Sequence, residues 1–361
     1  MSRPIRAAVC HAFGAPLSVE TVHLRAPGPG EVEVTLGAVA LCHSDISYAE
    51  GAWGGALPAI YGHEAAGHVS ALGPGVNGYS IGDPVLVTLL RSCGTCPSCS
   101  AAHPATCETP PNLPAPLHLP DGQAVAQGLA CGAFAEAVLV TPAQLAPLPA
   151  DIPLEAACLL ACSVTTGVGA VVQSGQVRVG ETVVVIGAGG VGLNVIQGAR
   201  LAGAARIIAV DLLPRKLDEA RDFGATDVIL ASAEKPWALA RAVTGRGADA
   251  VFVTVGATAV YDTAPRYLAR GGRMVMVGMP HSGETARYEP VILAMCGQDL
   301  RGSMMGDTVL ARDIPWMVDL WRQGRLMLEP LISGRWSLDQ INAAIADTNS
   351  GQARRNVIVF D

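Results

Sequence analysis

The middle of this 361-residue chain alternates between apolar, strand-like runs and helical stretches, and this alternation constrains the fold most strongly. Alternating β and α elements predict a parallel sheet that helices cover on both faces. The predicted strands are Thr182–Ile186, Arg206–Val210, Asp227–Leu230, Ala250–Thr254, Arg273–Val277 and Asp299–Ser303. The predicted helices between the earlier runs are Val191–Leu201, Arg215–Phe223 and Pro236–Val243.

A glycine-rich turn follows the first of these runs. Its sequence, Gly187-Ala188-Gly189-Gly190-Val191-Gly192, matches G-x-G-x-x-G between a strand and a helix. Gly187 permits a tight turn, Gly189 lets the backbone approach a pyrophosphate, and Gly192 lets the helix pack closely on the strand. The helix N-terminus offers free N–H groups to phosphates. The pattern predicts a six-stranded dinucleotide-binding domain. The alternative is a glycine-rich turn that binds no ligand.

An acidic residue stands where such a domain recognises the adenosine ribose. Asp211 closes the second run, 19 residues after Gly192. A carboxylate there accepts hydrogen bonds from the ribose hydroxyls and repels a 2′-phosphate, which favours NAD over NADP. Arg215 and Lys216 lie nearby and leave some use of NADP open.

Four of the ten cysteines form a dense cluster with short spacings. Four thiolates on one loop can close a tetrahedral zinc site that leaves no position for a substrate, so we assign the cluster a structural role. An iron–sulfur cluster and free or disulfide-paired cysteines are the alternatives. The cluster consists of Cys93, Cys96, Cys99 and Cys107.

A second set of metal-ligand residue types is scattered along the chain. Cys42 and His63 are weak signals separately, because a lone cysteine or histidine is usually an ordinary buried residue. Together with Cys162 they supply two thiolates and an imidazole, and three protein ligands plus a water are typical of a catalytic zinc. Such a metal lowers the pKa of a bound alcohol, whose alkoxide can release a hydride to a nicotinamide.

Composition excludes several other classes of protein. The net charge is -7, no basic block is present, and only 4% of the residues are aromatic, which argues against a nucleic-acid partner. No apolar run after the N-terminus resembles a signal peptide, so we expect a cytoplasmic protein. The uncharged stretches 156–177 and 182–199 are interpreted as buried segments and not as membrane spans.

The two ends of the chain differ from its middle. Short strands such as Val32–Leu36 and Val85–Val87 predict a β-rich first part, and the proline-rich residues 109–129 are predicted to form a loop. Near the C-terminus we predict helices at Ile314–Arg322 and Leu338–Thr348, and a strand at Asn356–Phe360. These elements are expected to complete the first domain.

Taken together, these motifs resemble those of the zinc-dependent medium-chain alcohol dehydrogenase family over essentially the whole chain. The resemblance implies an α/β protein in which a GroES-like, β-rich catalytic domain is interrupted by a six-stranded Rossmann domain. The implied segments are 1–163 and 305–361 for the catalytic domain and 164–304 for the Rossmann domain. The motifs that carry the resemblance are Cys42-His43-Ser44-Asp45, Gly62-His63-Glu64-Ala65-Ala66-Gly67, the four-cysteine loop, Cys162 with Thr165-Thr166-Gly167, and the glycine turn with Asp211.

The resemblance also implies roles for individual residues near the metal. Cys42, His63 and Cys162 would hold the catalytic zinc, and the four-cysteine loop would hold a structural zinc. Glu64 would assist ligand exchange, and Asp45 would orient the histidine ligand. Ser44 would take the substrate proton.

For the cofactor, the resemblance implies that His43 and Arg355 contact the pyrophosphate, Thr166 packs the nicotinamide ring, and Lys216 lies near the adenosine ribose. The implied cofactors are NAD and two zinc ions per chain. The implied substrates are small alcohols, aldehydes or ketones, and a homodimer or homotetramer is expected.

Two departures from the family pattern concern the substrate. Ser47 stands where many members end the proton relay with a histidine, and Trp53 stands where the thiol-dependent formaldehyde branch has an acidic residue. The predicted pocket is largely apolar and favours primary, secondary or aromatic alcohols. Polyol oxidation, thiol-adduct formaldehyde oxidation and cofactor binding without catalysis are the alternatives. The predicted pocket residues are Ser44, Trp53, Leu89, Phe134 and Met279.

Overall fold

The computed structural model describes residues 2–360. The strands, in chain order, are β1 (Arg3–Cys10), β2 (Ser18–Leu24), β3 (Val32–Ala40), β4 (Ala59–Ile60), β5 (Glu64–Leu72), β6 (Pro84–Thr88), β7 (Leu117–His118), β8 (Ala124–Gln127), β9 (Ala137–Val140), β10 (Leu145–Pro147), β11 (Thr182–Ile186), β12 (Arg206–Asp211), β13 (Asp227–Leu230), β14 (Ala248–Val253), β15 (Leu268–Met276), β16 (Asp299–Gly302), β17 (Ile332–Trp336) and β18 (Arg355–Val359). The α-helices are α1 (His43–Ala49), α2 (Pro97–Ser100), α3 (Leu154–Ala157), α4 (Ser163–Gly169), α5 (Gly190–Leu201), α6 (Pro214–Asp222), α7 (Pro236–Thr244), α8 (Thr258–Thr263), α9 (Pro290–Cys296), α10 (Leu310–Arg322) and α11 (Ile341–Asn349).

The chain divides into two compact units. The first runs from the start of the described chain to Cys162 and resumes with Val309–Val318 and the residues from Leu328 onward. The second comprises Ser163–Thr308 and Asp319–Met327. The expected return of the chain to the first domain at residue 305 therefore begins slightly later, and one short segment after it still packs with the second unit.

The first unit is rich in β-structure. Strands β1, β2, β7, β8 and β4 form a small closed barrel, and a seven-stranded sheet runs in the order β10-β6-β5-β3-β18-β17 with β9 also paired to β3. The C-terminal strand β18 pairs with β3, so the last residues do complete this sheet. Its core packs fully buried Val, Leu, Ile and Ala side chains from the inner faces of these strands.

The prediction that residues 109–129 form a loop is wrong in part. Strands β7 and β8 lie within this segment, pair with each other, and join the barrel through β2 and β4. Leu117 and Val125 are fully buried there. Prolines obscured these strands in the sequence because they surround, rather than interrupt, the short paired segments.

The second unit has the predicted doubly wound architecture. Its six-stranded sheet is parallel and has the order β13-β12-β11-β14-β15-β16. The strand order reverses between β11 and β14, which in such sheets is where ligands bind at the carboxyl ends of the strands. The apolar run Thr182–Ile186 forms the central strand β11, where its valines are fully buried.

Within residues 2–360, no single helix is long and apolar enough to cross a membrane, although the bent pair Leu154–Ala161 and Ser163–Ser174 passes by length and composition. Most residues of this pair are buried.

Candidate active site

Four potential metal ligands meet in the first unit. The ligand atoms of Cys42, His63, Glu64 and Cys162 all lie within 4.8 Å of one another, and all four residues are buried. Cys42 follows β3 and His63 precedes β5, and antiparallel pairing of these strands sets Ala40 opposite Glu64. The predicted zinc ligands from distant parts of the sequence are thus brought to one point by the sheet.

A side-chain contact brings Cys162 to the same place. Thr88 pairs with Glu64 across β5 and β6, and its hydroxyl donates to the Ala161 carbonyl over 2.7 Å. Ala161 immediately precedes Cys162 at the end of a short 3₁₀ turn. Thr88 is completely buried, so this bond is protected from water.

The Asp45 carboxylate forms hydrogen bonds to three groups around the ligand set. One of its oxygens accepts from His63 Nδ1 and from the Gly62 amide, both over 2.9 Å, and the other accepts from the Cys42 amide over 3.2 Å. An ionised carboxylate can only accept, so Nδ1 carries a hydrogen, and Nε2 is the nitrogen that offers a lone pair to a metal when the ring is neutral. The same carboxylate caps the first turn of α1.

The remaining histidine nitrogen lacks a partner. His63 Nε2 is buried and makes no hydrogen bond to any described residue. Burial alone would lower the pKa of His63, but the Asp45 carboxylate raises it well above its usual value. A contact with Cys162 lowers the pKa of the Cys42 thiol well below its usual value in spite of burial. A zinc ion prefers nitrogen and sulfur ligands and would replace the proton on Nε2, so this nitrogen beside two sulfurs fits that metal.

Gly62 must be glycine for the His63 segment to pack. Its φ is +92°, and a Cβ there would stand 2.6 Å from the Phe134 backbone nitrogen. The turn therefore packs directly against the chain at Phe134.

Glu64 makes a contact that sequence analysis did not foresee. The Arg355 guanidinium forms an ion pair with it, and both side chains are almost completely buried. Burial raises the pKa of Glu64 to about 7, although Arg355 opposes this shift. Arg355 is thus placed beside the ligand set, and its contact with a cofactor pyrophosphate stays a prediction. Glu64 and Arg355 are 291 residues apart in sequence, and only the β18–β3 pairing could have revealed their ion pair.

Helix α1 carries the predicted relay residues. Ser44 and Ser47 are three residues apart and therefore lie on one side of the helix, both partly exposed. His43 is exposed at the start of α1. Beyond the helix, Trp53 packs edge-on against Tyr48 with ring centroids 4.9 Å apart. Tyr48 was not predicted as a site residue, and its spacing from Trp53 carries no recognisable motif.

The other predicted pocket residues lie in different environments. Leu89 directly follows β6 and is partly buried against the core. Phe134 is only 1% exposed and belongs to that core, and its role as a pocket residue stays a prediction. Met279 is 49% exposed in the second unit.

The four-cysteine loop forms a compact sulfur cluster. The sulfur atoms of Cys93 and Cys99 are 3.9 Å apart, as are those of Cys96 and Cys107. Four sulfurs around a tetrahedral zinc at about 2.3 Å would be about 3.8 Å apart, so the spacing fits this metal. Hydrogen bonds from the Thr109 hydroxyl and nearby amides lower the pKa of Cys93 to about 5, which favours the thiolate that binds metals. All four cysteines are free of disulfides.

The glycine turn of the second unit has the backbone geometry that its motif requires. Gly187 has a φ of +98°, and a Cβ at Gly192 would lie 1.8 Å from the Gly187 carbonyl oxygen. A Cβ at Gly189 would meet nothing within 4 Å, so the backbone there borders open space. Helix α5 starts at Gly190, with Val191 in its first turn. The turn therefore offers an accessible helix N-terminus, the arrangement that binds a pyrophosphate.

Asp211 lies at the end of β12 beside this turn. Its carboxylate accepts from the Ala188 amide over 2.7 Å and from the Leu213 amide over 3.0 Å. Lys216 is partly buried in the first turn of α6, whereas Arg215 is exposed and pairs with Glu219.

Thr166 belongs to the same unit as the glycine turn. It is buried in α4, and its hydroxyl contacts the Met305 sulfur over 3.6 Å. The structure thus brings Asp211 to the glycine turn by direct hydrogen bonds, and contact of Thr166 with the nicotinamide ring stays a prediction.

Comparison with known proteins agrees with this architecture. The alcohol dehydrogenase GroES-like domain family matches residues 28–150, and the zinc-binding dehydrogenase family matches residues 190–323. A class-3 alcohol dehydrogenase of Cereibacter sphaeroides is 33% identical over 98% of this chain and 99% of that relative. The chain therefore belongs to the zinc-dependent medium-chain alcohol dehydrogenase family, and it is an oxidoreductase.

Two solved structures share the whole fold. An alcohol dehydrogenase zinc-binding domain protein from Burkholderia ambifaria has a TM-score of 0.95 and 35% identity, with 100% of both chains covered. The benzyl alcohol dehydrogenase of Acinetobacter calcoaceticus has a TM-score of 0.94 and 29% identity, covering 99% of this chain and 100% of that one. The GroES-like and Rossmann architecture predicted from the sequence is thus confirmed.

Proposed function

We propose that this protein is an NAD(H)-dependent alcohol dehydrogenase that interconverts a small alcohol and its aldehyde or ketone by hydride transfer. The observation that carries the proposal is the buried set of Cys42, His63 and Cys162, in which His63 Nε2 has no protein partner. These three residues would hold a catalytic zinc, which when bound supplies a Lewis acid that lowers the pKa of the alcohol. The protein would act in the cytoplasm as a homodimer or homotetramer.

The surrounding residues would position the ligands and move the proton. Asp45 fixes the tautomer of His63, so that Nε2 faces the ligand set. Glu64 lies within the ligand set and would assist exchange of water and substrate. Ser44 would accept the proton of the alcohol, and Ser47, one helical turn further on, would pass it towards solvent.

We assign the second metal a structural role. The sulfurs of the four-cysteine loop are spaced as in a closed tetrahedral site, which leaves no position for a substrate. The protein would then contain two zinc ions per chain, of which only the ion at Cys42, His63 and Cys162 takes part in turnover.

The second unit would bind NAD(H). The N-terminus of α5, which begins at the glycine turn, would hold the pyrophosphate, with His43 and Arg355 as further contacts. The negative charge of Asp211 would disfavour a 2′-phosphate, and Lys216 would lie near the ribose. Thr166 would contact the nicotinamide ring.

We propose an alcohol with an apolar or aromatic body as the substrate. Trp53 and Leu89 offer apolar surface, Met279 is exposed, and Ser44 is smaller than threonine and leaves room for a bulky alcohol. A related structure with the same fold is a benzyl alcohol dehydrogenase, which supports the aromatic class. An apolar pocket would also leave the extra hydroxyls of a polyol without hydrogen-bond partners.

The direct test is NAD-dependent oxidation of a panel of primary, secondary, aromatic and polyol alcohols, with and without a zinc chelator. We expect turnover of apolar or aromatic alcohols that the chelator abolishes. His63→Ala should abolish turnover while NADH binding, followed by fluorescence, stays near the wild-type value. Chelator-resistant turnover, or a His63→Ala variant with wild-type activity, would overturn the zinc mechanism.

A further inference from the structure

An open cavity of about 1100 Å³ lies in the second unit, away from the glycine turn. Leu268, which begins β15, and Gln298, which precedes β16, both line it. The cavity is therefore at the amino ends of these parallel strands, whereas the glycine turn follows the carboxyl end of β11. Ligands of open α/β sheets usually bind at the carboxyl ends, so this cavity is separate from the proposed cofactor site.

The cavity is rich in uncompensated positive charge. The guanidinium groups of four lining arginines form no ion pair with a carboxylate among the described residues, and only two acidic side chains, Asp262 and Glu289, line the cavity with them. In a chain of net charge -7, such a concentration of guanidinium groups is unexpected. A concave surface of one charge attracts ligands of the opposite charge. The four arginines are Arg241, Arg266, Arg270 and Arg287.

The cavity also offers apolar contacts. The Arg266 guanidinium stands 5.0 Å from the centre of the Trp237 ring, and Ile292 and Leu293 add aliphatic surface. Gln298 Oε1 is buried and has no hydrogen-bond partner among the described residues. The cavity thus combines arginines, an aromatic ring and an unused acceptor.

We propose that this cavity is a second binding site, for an organic anion that carries at least two negative charges on an apolar or aromatic body. Arginines bind phosphate, sulfonate and carboxylate groups through paired N–H donors. Trp237 with Arg266 would cover the face of the organic body, as in other cation–π contacts. The site is independent of the zinc ligands and of the glycine turn.

The test is calorimetric titration of the zinc-loaded enzyme with naphthalene-1,5-disulfonate, in saturating NAD so that the cofactor site is filled. We expect one disulfonate per chain and binding that weakens as NaCl rises to about 0.5 M. Uncharged naphthalene-1,5-diol and ringless pyrophosphate should each bind at least about tenfold more weakly. Absence of disulfonate binding, or equal affinity for pyrophosphate, would overturn the proposal.

Variants locate the site. Arg266→Gln/Arg287→Gln should weaken disulfonate binding by about tenfold or more, because it removes two groups that form charge-assisted hydrogen bonds to the anion. The control Arg178→Gln/Arg221→Gln removes the same charge from exposed positions of the same unit and should leave affinity unchanged. Arg266→Lys/Arg287→Lys should recover part of the affinity if the first variant lost binding and not folding. Equal loss in the control, or a changed oligomer size by light scattering in the first variant, would refute a ligand site.

Discussion

Replacing Asp45 by asparagine tests whether this carboxylate prepares His63 to bind the metal. Asp45 is 2% exposed and accepts three hydrogen bonds, from His63, Gly62 and the Cys42 amide. An asparagine keeps one acceptor oxygen and turns the other position into a donor. In either orientation of the amide, its NH₂ group faces at least one N–H donor and cannot accept a hydrogen bond from it. The hydrogen bonds that remain are no longer made to a charged acceptor and are therefore weaker.

The expected magnitude follows from the role of such a partner. Removing the residue that orients a metal-bound histidine typically costs 10–100-fold in metal affinity, or about 1.4–2.7 kcal/mol. The loss should affect the catalytic zinc alone, because the cysteine cluster is built from other residues. We would measure zinc affinity by chelator competition and zinc per chain by atomic emission, together with kcat/KM.

Asp313→Asn is the matched control. Asp313 is also buried, at 1% exposure, and accepts from the Val309 amide over 2.8 Å, but it is not part of the ligand set. The control should lose stability without losing zinc. Retention of wild-type zinc affinity by Asp45→Asn would refute the reasoning, as would an equal loss of zinc in the control.

Three further predictions concern other parts of the chain. Cys107→Ser should remove one of two zinc ions per chain and lower the Tm, and an unchanged zinc content would exclude a metal at the cysteine loop. Asp211→Ser should raise the ratio of NADP to NAD turnover by about tenfold, and an unchanged ratio would disprove its role in cofactor choice. Glu31→Gln should destabilise the first unit by about 1–3 kcal/mol, because buried Glu31 accepts two bonds from Arg25 and one from the Gly28 amide. Burial raises the pKa of Glu31, but the Arg25 bonds lower it below its usual value. The Tm difference between wild type and Glu31→Gln should therefore be full above about pH 4.3 and shrink as the pH falls further, and a pH-independent difference would contradict the ion pair.

The sequence was most informative where one short segment determines the local geometry. The glycine turn could be predicted because its immediate neighbours in the chain leave no room for a side chain. At Gly192, for example, a Cβ would stand 1.8 Å from the carbonyl oxygen of Gly187. The geometry of the cysteine loop is also determined locally, because the amides of Thr95 and Cys96 donate hydrogen bonds to the Cys93 sulfur. Such motifs carry their geometry in their spacing.

Contacts between distant segments could not be derived from spacing. Cys42, His63 and Cys162 have no informative separation, so only their residue types and the family resemblance grouped them. The β3–β5 pairing explains how Cys42 and His63 meet, and the Thr88–Ala161 hydrogen bond adds Cys162. The ion pair between Glu64 and Arg355 depends on the pairing of the C-terminal strand.

The cationic cavity has the same origin. Its arginines come from α7, the α8–β15 region and the segment before α9. The positive charges lie close together only in the folded sheet, so no local sequence pattern could have predicted the cavity.

Asp45 shows how the fold itself prepares the metal site. Burying an ionised carboxylate is unfavourable unless hydrogen bonds compensate it, and two of its three donors are backbone amides, of Gly62 and Cys42. These amides belong to the β3–α1 junction and the turn before β5, which form together with the sheet. The third donor, His63 Nδ1, is therefore oriented by a carboxylate whose position the backbone has already fixed. We therefore expect the zinc affinity of the proposed ligand set to depend on this carboxylate and not only on the ligands themselves.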